Sequence, residues 1–271
     1  MKQLIILFIA SFTFLFGGEP LLNPGQYQVR FDYLSLSASD LYDTFKEKQP
    51  IEVNGQDQDY DLTASHIRLR YGATSYTTLV LAGTWKDHAL KGGDENYSQD
   101  GLESYFVGVQ VRRDAGRFHS FVWSIGFRGD GSYDDEEPMP LASGEESWEV
   151  SGNYLFSLNP YHAYFNFDLG YRFNGGSVAD EWVVHASWTY QMKGRTEFRL
   201  FYDALESAET KREAFDPLFY PNERGSQKTG VAVSVGLGRR LSLFASYEQV
   251  INGRNIFETD GFRTGISYLF P

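Results

Sequence analysis

Apolar and polar positions take turns, residue by residue, along most of this chain. The last ten residues show it plainly: Phe262, Thr264, Ile266, Tyr268 and Phe270 share one parity, and Arg263, Gly265, Ser267 and Leu269 the other. The cleanest case is central, where Ala163, Phe165, Phe167, Leu169, Tyr171 and Phe173 stand opposite His162, Asn166, Asp168, Gly170 and Arg172. Side chains of a strand alternate between its two faces, so this period of two predicts strands that meet a different solvent on each side. The same pattern marks segments around Tyr27–Ser35, Ile67–Tyr71, Tyr76–Lys86, Tyr105–Arg112, Phe121–Arg128 and Trp148–Phe156. It returns at Glu181–Gln191, Glu197–Asp203, Gly230–Leu237 and Leu241–Glu248.

The predicted count is about twelve, inside the even-numbered series of bacterial transmembrane barrels. Connections alternate between long polar loops and tight turns. The long ones are expected near 40–59, 87–100, 129–147, 206–226 and 252–260, with a shorter one at 174–180; turns fall at 72–75, 114–117, 157–160, 193–194 and 238–240. A soluble sandwich has no reason to sort its loops by end in this way. An antiparallel up-and-down β-barrel threaded through a bilayer has one: one rim faces the periplasm and the other the exterior. Closure is then compulsory, because an open edge in lipid leaves backbone groups unpaired.

Composition sharpens the picture at three points. Aromatics make up 17% of the 271 residues although no internal run reaches the ~20 apolar residues of a spanning helix, which suits many short half-buried strands. The formal charge of −12 argues against nucleic acid as a partner, since neutralising phosphates requires excess Lys and Arg. The amino terminus has a basic Lys2, an apolar stretch from Leu4 to Phe16 and small Gly17 and Gly18, the layout of a cleavable signal peptide. Residues 1–18 are therefore expected as leader and 19–271 as an all-β barrel; without Cys there is no lipid attachment site.

The inward parity carries the candidate chemistry. It collects Arg30, Arg68, Arg70, Arg112, Arg172, Arg199 and Arg263, with Lys86, Arg128 and Lys228, against Asp32, Asp168, Glu181, Glu197, Asp203 and Glu248, with Glu149. Such a lumen is either a restricted pore with a basic bias or a salt-bridged plug; twelve strands lie between side-chain-filled and water-filled widths. His185-Ala186-Ser187 places a base beside a hydroxyl nucleophile, a pairing found in hydrolases. Parity turns His185 and Ser187 toward the lumen, away from lipid, so hydrolysis of membrane lipid ranks behind transport. Loop 129–147, with Asp130, Asp134, Asp135, Glu136, Glu137, Glu145 and Glu146, lacks the ordered spacing of a calcium loop. No metal or other cofactor is expected.

The segment from Tyr164 to Phe173, followed by Asp180-Glu181-Trp182, resembles the barrel family named for the meta-pathway of phenol degradation. That resemblance implies an outer-membrane channel or transporter, for aromatic or other hydrophobic compounds. The closing strand, through Phe262, Ile266, Tyr268 and Phe270, resembles the C-terminal insertion signal of outer-membrane barrels, with Pro271 trailing it. These readings imply the bacterial outer membrane, with its lipid and lipopolysaccharide and the barrel assembly machinery as partners. The main expectation is passive diffusion of a small solute; the alternative is a closed barrel whose loops bind a surface ligand.

Overall fold

The computed structural model describes residues 22–271 apart from 44, 54, 93–95, 117–118, 132–145, 159, 176–177, 193–194 and 209–223. Twelve strands close into one antiparallel barrel. They are β1 (Tyr27–Ala38), β2 (Asp59–Gly72), β3 (Thr77–Lys91), β4 (Tyr97–Gly116), β5 (His119–Asp130) and β6 (Ser147–Ser157). The second half comprises β7 (Ala163–Asn174), β8 (Glu181–Gln191), β9 (Thr196–Ser207), β10 (Gly225–Gly236), β11 (Leu241–Arg254) and β12 (Asp260–Phe270). Each pairs with its neighbours in sequence, and β12 returns to β1 with Tyr27 opposite Phe270. No strand edge is left to lipid.

The exterior is apolar. Phe31, Ile67, Leu81, Val107, Ile125, Phe165, Leu200 and Ile266 are all exposed on the outward parity, where a soluble protein would not leave a continuous belt. Direction along the barrel follows from where each strand starts. Trp85, Trp148 and Trp182 sit toward the long-loop rim, whereas Trp123 and Trp188 sit toward the tight-turn rim. Amphipathic rings at two heights fit the two interfaces of a bilayer. Tyr27 and Tyr71, stacked at 5.0 Å between centroids, belong to the lower one.

Strand lengths correct two of the expected loops. A tilted strand crosses a bilayer in ~9–11 residues, yet β4 has 20 and β3 has 15. Residues 87–91, 97–100 and 252–254, expected in loops, are strand. They stand beyond the bilayer, where the outward face need not be apolar, so the alternation that reveals a strand is lost. The connections at 92–96 and 255–259 are correspondingly short.

The first loop is also structured. Asp40–Tyr42 pairs with Lys48–Pro50 on one side and with Ile256–Phe257 of the last loop on the other, and Glu52–Val53 pairs with Gln56–Asp57. Ile51 is fully buried against Ala38, Tyr60 and Leu90, and Phe257 stacks on Tyr60 at 4.1 Å. Those three wall residues lie on the inward parity of β1, β2 and β3, so the first loop folds over the mouth and grips the inner wall. Outside the bilayer, Lys48 is bonded by Glu258 and Asp40, which hold its ammonium above the usual lysine range.

Inside, three aromatic rings lie against glycines of neighbouring strands. Phe106 covers Gly126 and its own-strand Gly108, Phe201 covers Gly230, and Phe244 covers Gly265. A side chain at any of these glycines would meet the ring. His162, expected at the start of the inward row of β7, lies instead exposed in the turn before it with φ of 52°. The leader, most of the acidic loop (Asp134, Asp135, Glu136, Glu137 and Glu145) and the turn at 193–194 lie outside the described residues. Gly126→Ala is expected to destabilise the barrel by about 1–3 kcal/mol through overpacking. Urea unfolding from vesicles measures it, and the penalty should shrink in a Phe106→Ala background.

Candidate functional site

The inward face is polar because the register brings opposite charges together at matching heights. On β6, β7 and β8, Glu149 lies opposite Arg172, which lies opposite Glu181. Arg172 bonds Glu149 at 3.2 Å and also bonds Glu181. Glu149 reaches Arg128 on β5 at 3.5 Å, and Glu181 receives Arg224, just ahead of β10, at 2.6 Å. Five side chains of alternating sign thus climb one wall of the lumen. All but Arg224 are buried.

A second network joins β10, β11 and β12: Lys228 bonds Glu248 at 2.7 Å, and Arg263 approaches the same carboxylate at 3.5 Å. On β1, Arg30 bonds Asp32 at 2.8 Å and lies 4.2 Å from the centre of the Phe244 ring. Arg70 donates to the neutral amides of Gln28 at 2.8 Å and Gln110 at 3.2 Å. Arg30 faces Arg68 directly across the β1–β2 pair, an arrangement that like charges normally oppose. Lys86 approaches Glu103 at 3.5 Å.

Of the remaining expected wall residues, Arg112, Glu197 and Arg199 are half-buried. Glu197 accepts from Gln191 at 3.1 Å, and Arg199 stands opposite Thr189. The charges are not mixed evenly around the cylinder. Arg263, Arg30, Arg68, Arg70, Arg112 and Arg128 line β12, β1, β2, β4 and β5 with Asp32 among them, while β6 to β9 carry Glu149, Asp168, Glu181, Glu197 and Asp203 interleaved with Arg172 and Arg199. One side of the inner face thus has an excess of guanidinium groups and the other an excess of carboxylates.

Between these networks the rows of β7, β8 and β9 place Asp168, His185 and Asp203 side by side. His185 Nδ1 is 2.6 Å from Asp203 Oδ1, and its Nε2 is 3.1 Å from Ser187 Oγ. One step along, Asn166 faces Ser187, and its carbonyl accepts from Asn153 Nδ2 at 2.8 Å. Parity analysis found His185, Ser187 and Asp203 on the inward face but not their mutual contact. The signal available was that β8 and β9 are hairpin neighbours with inward polar residues of compatible spacing. The inward rings Phe201 and Phe244 escaped notice because they break the polar parity. The four residues of the expected insertion signal, Phe262, Ile266, Tyr268 and Phe270, are exposed on the outer face of β12.

Glu181 is fully buried between two guanidinium groups. Removing one partner of such a set strands an uncompensated charge. Glu181→Ala is expected to lower stability by about 3–5 kcal/mol, whereas a variant that also replaces Arg172 with Met should recover part of it; equilibrium unfolding in lipid vesicles reads both.

Known structures share this architecture. An outer membrane channel from Pseudomonas putida F1 superposes with a TM-score of 0.71 at 10% identity, covering 93% of this chain and 96% of that one. The NanC porin matches with a TM-score of 0.51 at 8% identity over 89% of this chain and 98% of the porin. The translocator domain of the autotransporter NalP from Neisseria meningitidis gives 0.50 at 10% identity, covering 91% and 89%. No protein-family model and no curated protein matches the sequence. At such identities the likeness is one of fold, and the fold is the transmembrane β-barrel of the bacterial outer membrane.

Proposed function

We propose that this chain is a restricted outer-membrane channel that passes small anionic solutes down their concentration gradient. The observation that supports it is the basic wall, where Arg30 faces Arg68 directly and Arg70 and Arg263 stand on the flanking rows. Like charges placed opposite one another repel, and several guanidinium groups gathered on one stretch of the wall give that stretch a basic bias. An anion passing that wall would relieve the repulsion, and fixed charge in a narrow path biases which ions occupy it. On the same reading, residues 1–18 direct export, and the aromatic face of β12 is read by the barrel assembly machinery. The finished cylinder is embedded among outer-membrane lipid and lipopolysaccharide.

A different cargo follows from the likeness of Tyr164–Phe173 to the phenol meta-pathway barrels, which favours aromatic or hydrophobic compounds. The charged inner wall supports anions better. A second reading has its own support: Arg68, Arg70, Glu181 and Glu248 are almost wholly enclosed, as in a barrel shut by its own side chains. Single-channel recording separates the two. Refolded protein in a planar bilayer is expected to give stable unitary steps with a reversal potential on the anion side under a salt gradient. Arg68→Glu with Arg70→Glu is expected to move that potential toward the cation side. An electrically silent bilayer favours the closed barrel.

The loop over the mouth adds a further expectation. Ile51→Asp breaks the contact with Ala38, Tyr60 and Leu90 and is expected to raise unitary conductance without changing ion preference. Conductance equal to wild type would place the loop away from the path.

A further inference from the structure

Ser187, His185 and Asp203 meet the geometric requirements of an acyl-transfer site. A carboxylate only accepts hydrogen bonds, so the 2.6 Å contact to Asp203 puts the ring proton of His185 on Nδ1. The neutral ring then presents its Nε2 lone pair to Ser187 Oγ, 3.1 Å away, which is the direction of a general base acting on a hydroxyl. Asp203 is fully buried and His185 nearly so, while Ser187 keeps 7% of its surface exposed. Of the three, the nucleophile is the one that a molecule in the lumen can touch.

A second observation is independent of the triad. Asn166 sits opposite Ser187 in the β7–β8 pair and is buried, and its side-chain nitrogen has no hydrogen-bond partner among the described residues. Its orientation is set by Asn153, which donates to its carbonyl. An unsatisfied buried donor opposes folding unless something else uses it. In a strand the backbone N–H groups are committed to the ladder, so a donor for a developing oxyanion has to come from a side chain. Asn166 is placed to be one.

His185 lies between two acids, Asp203 to which it is bonded and Asp168 opposite it on β7, and Lys228 stands opposite Asp203 on β10. Asp168 itself is bonded by Asn153 at 3.3 Å.

We propose that the lumen holds an esterase site in which Ser187 is the nucleophile, His185 the general base and acid, Asp203 the residue that positions it, and Asn166 an oxyanion donor. Its substrates are small soluble esters that enter the barrel, since the site faces away from lipid. Ser187 Oγ bonds to the ester carbonyl carbon as its proton passes to His185 Nε2. The resulting oxyanion is met by the Asn166 amide. Collapse breaks the bond to the alcohol, which leaves with the proton from His185. Water then attacks the acyl-serine with His185 as base, releasing a carboxylic acid and restoring the hydroxyl.

The test uses full-length refolded protein in detergent micelles, its fold checked by the shift between heated and unheated gel samples. A fluorophosphonate probe is expected to label one site, mapped by mass spectrometry to Ser187, and p-nitrophenyl butyrate to be hydrolysed. Ser187→Ala is expected to abolish both, and Asp203→Asn to slow turnover by at least about a hundredfold. Asn166→Ala is expected to lower kcat by about a hundredfold with KM little changed, a split that a merely structural role would not produce. Wild-type protein that takes no label, label on another residue, or turnover that survives Ser187→Ala overturns the proposal. None of these outcomes bears on conductance, so the channel reading stands or falls separately.

Discussion

Every backbone amide that enters hydrocarbon must find its partner within the protein, and that requirement shapes this molecule more than any side chain. Each unpaired N–H or C=O in lipid costs several kcal/mol, so a strand is admissible only with a bonded neighbour on both sides. The chain meets this by bringing β12 back onto β1, Tyr27 against Phe270 and Ser37 against Asp260. Once the cylinder is closed, the period of two is forced. One parity faces acyl chains and must be apolar, and the other faces an enclosed interior that water, ions or polar side chains must fill.

Filling that interior creates a second problem, since charges withdrawn from water lose hydration that only good partners replace. The wall from β5 to β8 answers with a ladder, Arg128, Glu149, Arg172, Glu181 and then Arg224, in which the three inner members each have a neighbour of opposite sign on both sides. Where aromatic rings turn inward the solution is different. Phe106, Phe201 and Phe244 occupy space that glycines on adjacent strands vacate. Both devices narrow the lumen, and the inner face of this barrel is accordingly closer to a packed core than to the wall of a wide pore.

Which of these features were legible in the sequence depended on what physical quantity encodes them. Facing is a local property, so Arg172 and Phe173 were assigned to opposite sides from parity alone, and the number of strands followed. Height is not local. That Arg172 meets Glu181, and His185 meets Asp203, depends on the register of each pairing, which loop lengths and bulges such as the one at Gln227/Lys228 decide. Alternation also fails where its cause is absent. The upper ends of β3 and β4 lie beyond the bilayer, where the outward face need not be apolar, so Asp87, His88 and Gln99 read as loop although they belong to strands. Ile51 and Phe257 were hidden for the opposite reason, as isolated apolar residues in polar loops whose partners are distant in the chain.

The uneven distribution of charge is the feature that packing does not explain. A barrel that needed only rigidity would interleave signs around its circumference, as β6 to β8 do, because each alternation adds attraction and removes repulsion. Instead Arg30 and Arg68 oppose each other across the β1–β2 pair, with Arg70 one inward position along. Partial relief comes from Asp32, the Phe244 ring and the Gln28 and Gln110 amides. Amides and rings satisfy a guanidinium without placing a negative charge beside it. Guanidinium groups gather on this stretch of the inner face, whereas β5 to β8 interleave theirs with carboxylates, so the two halves of the lumen differ in how their charge is arranged.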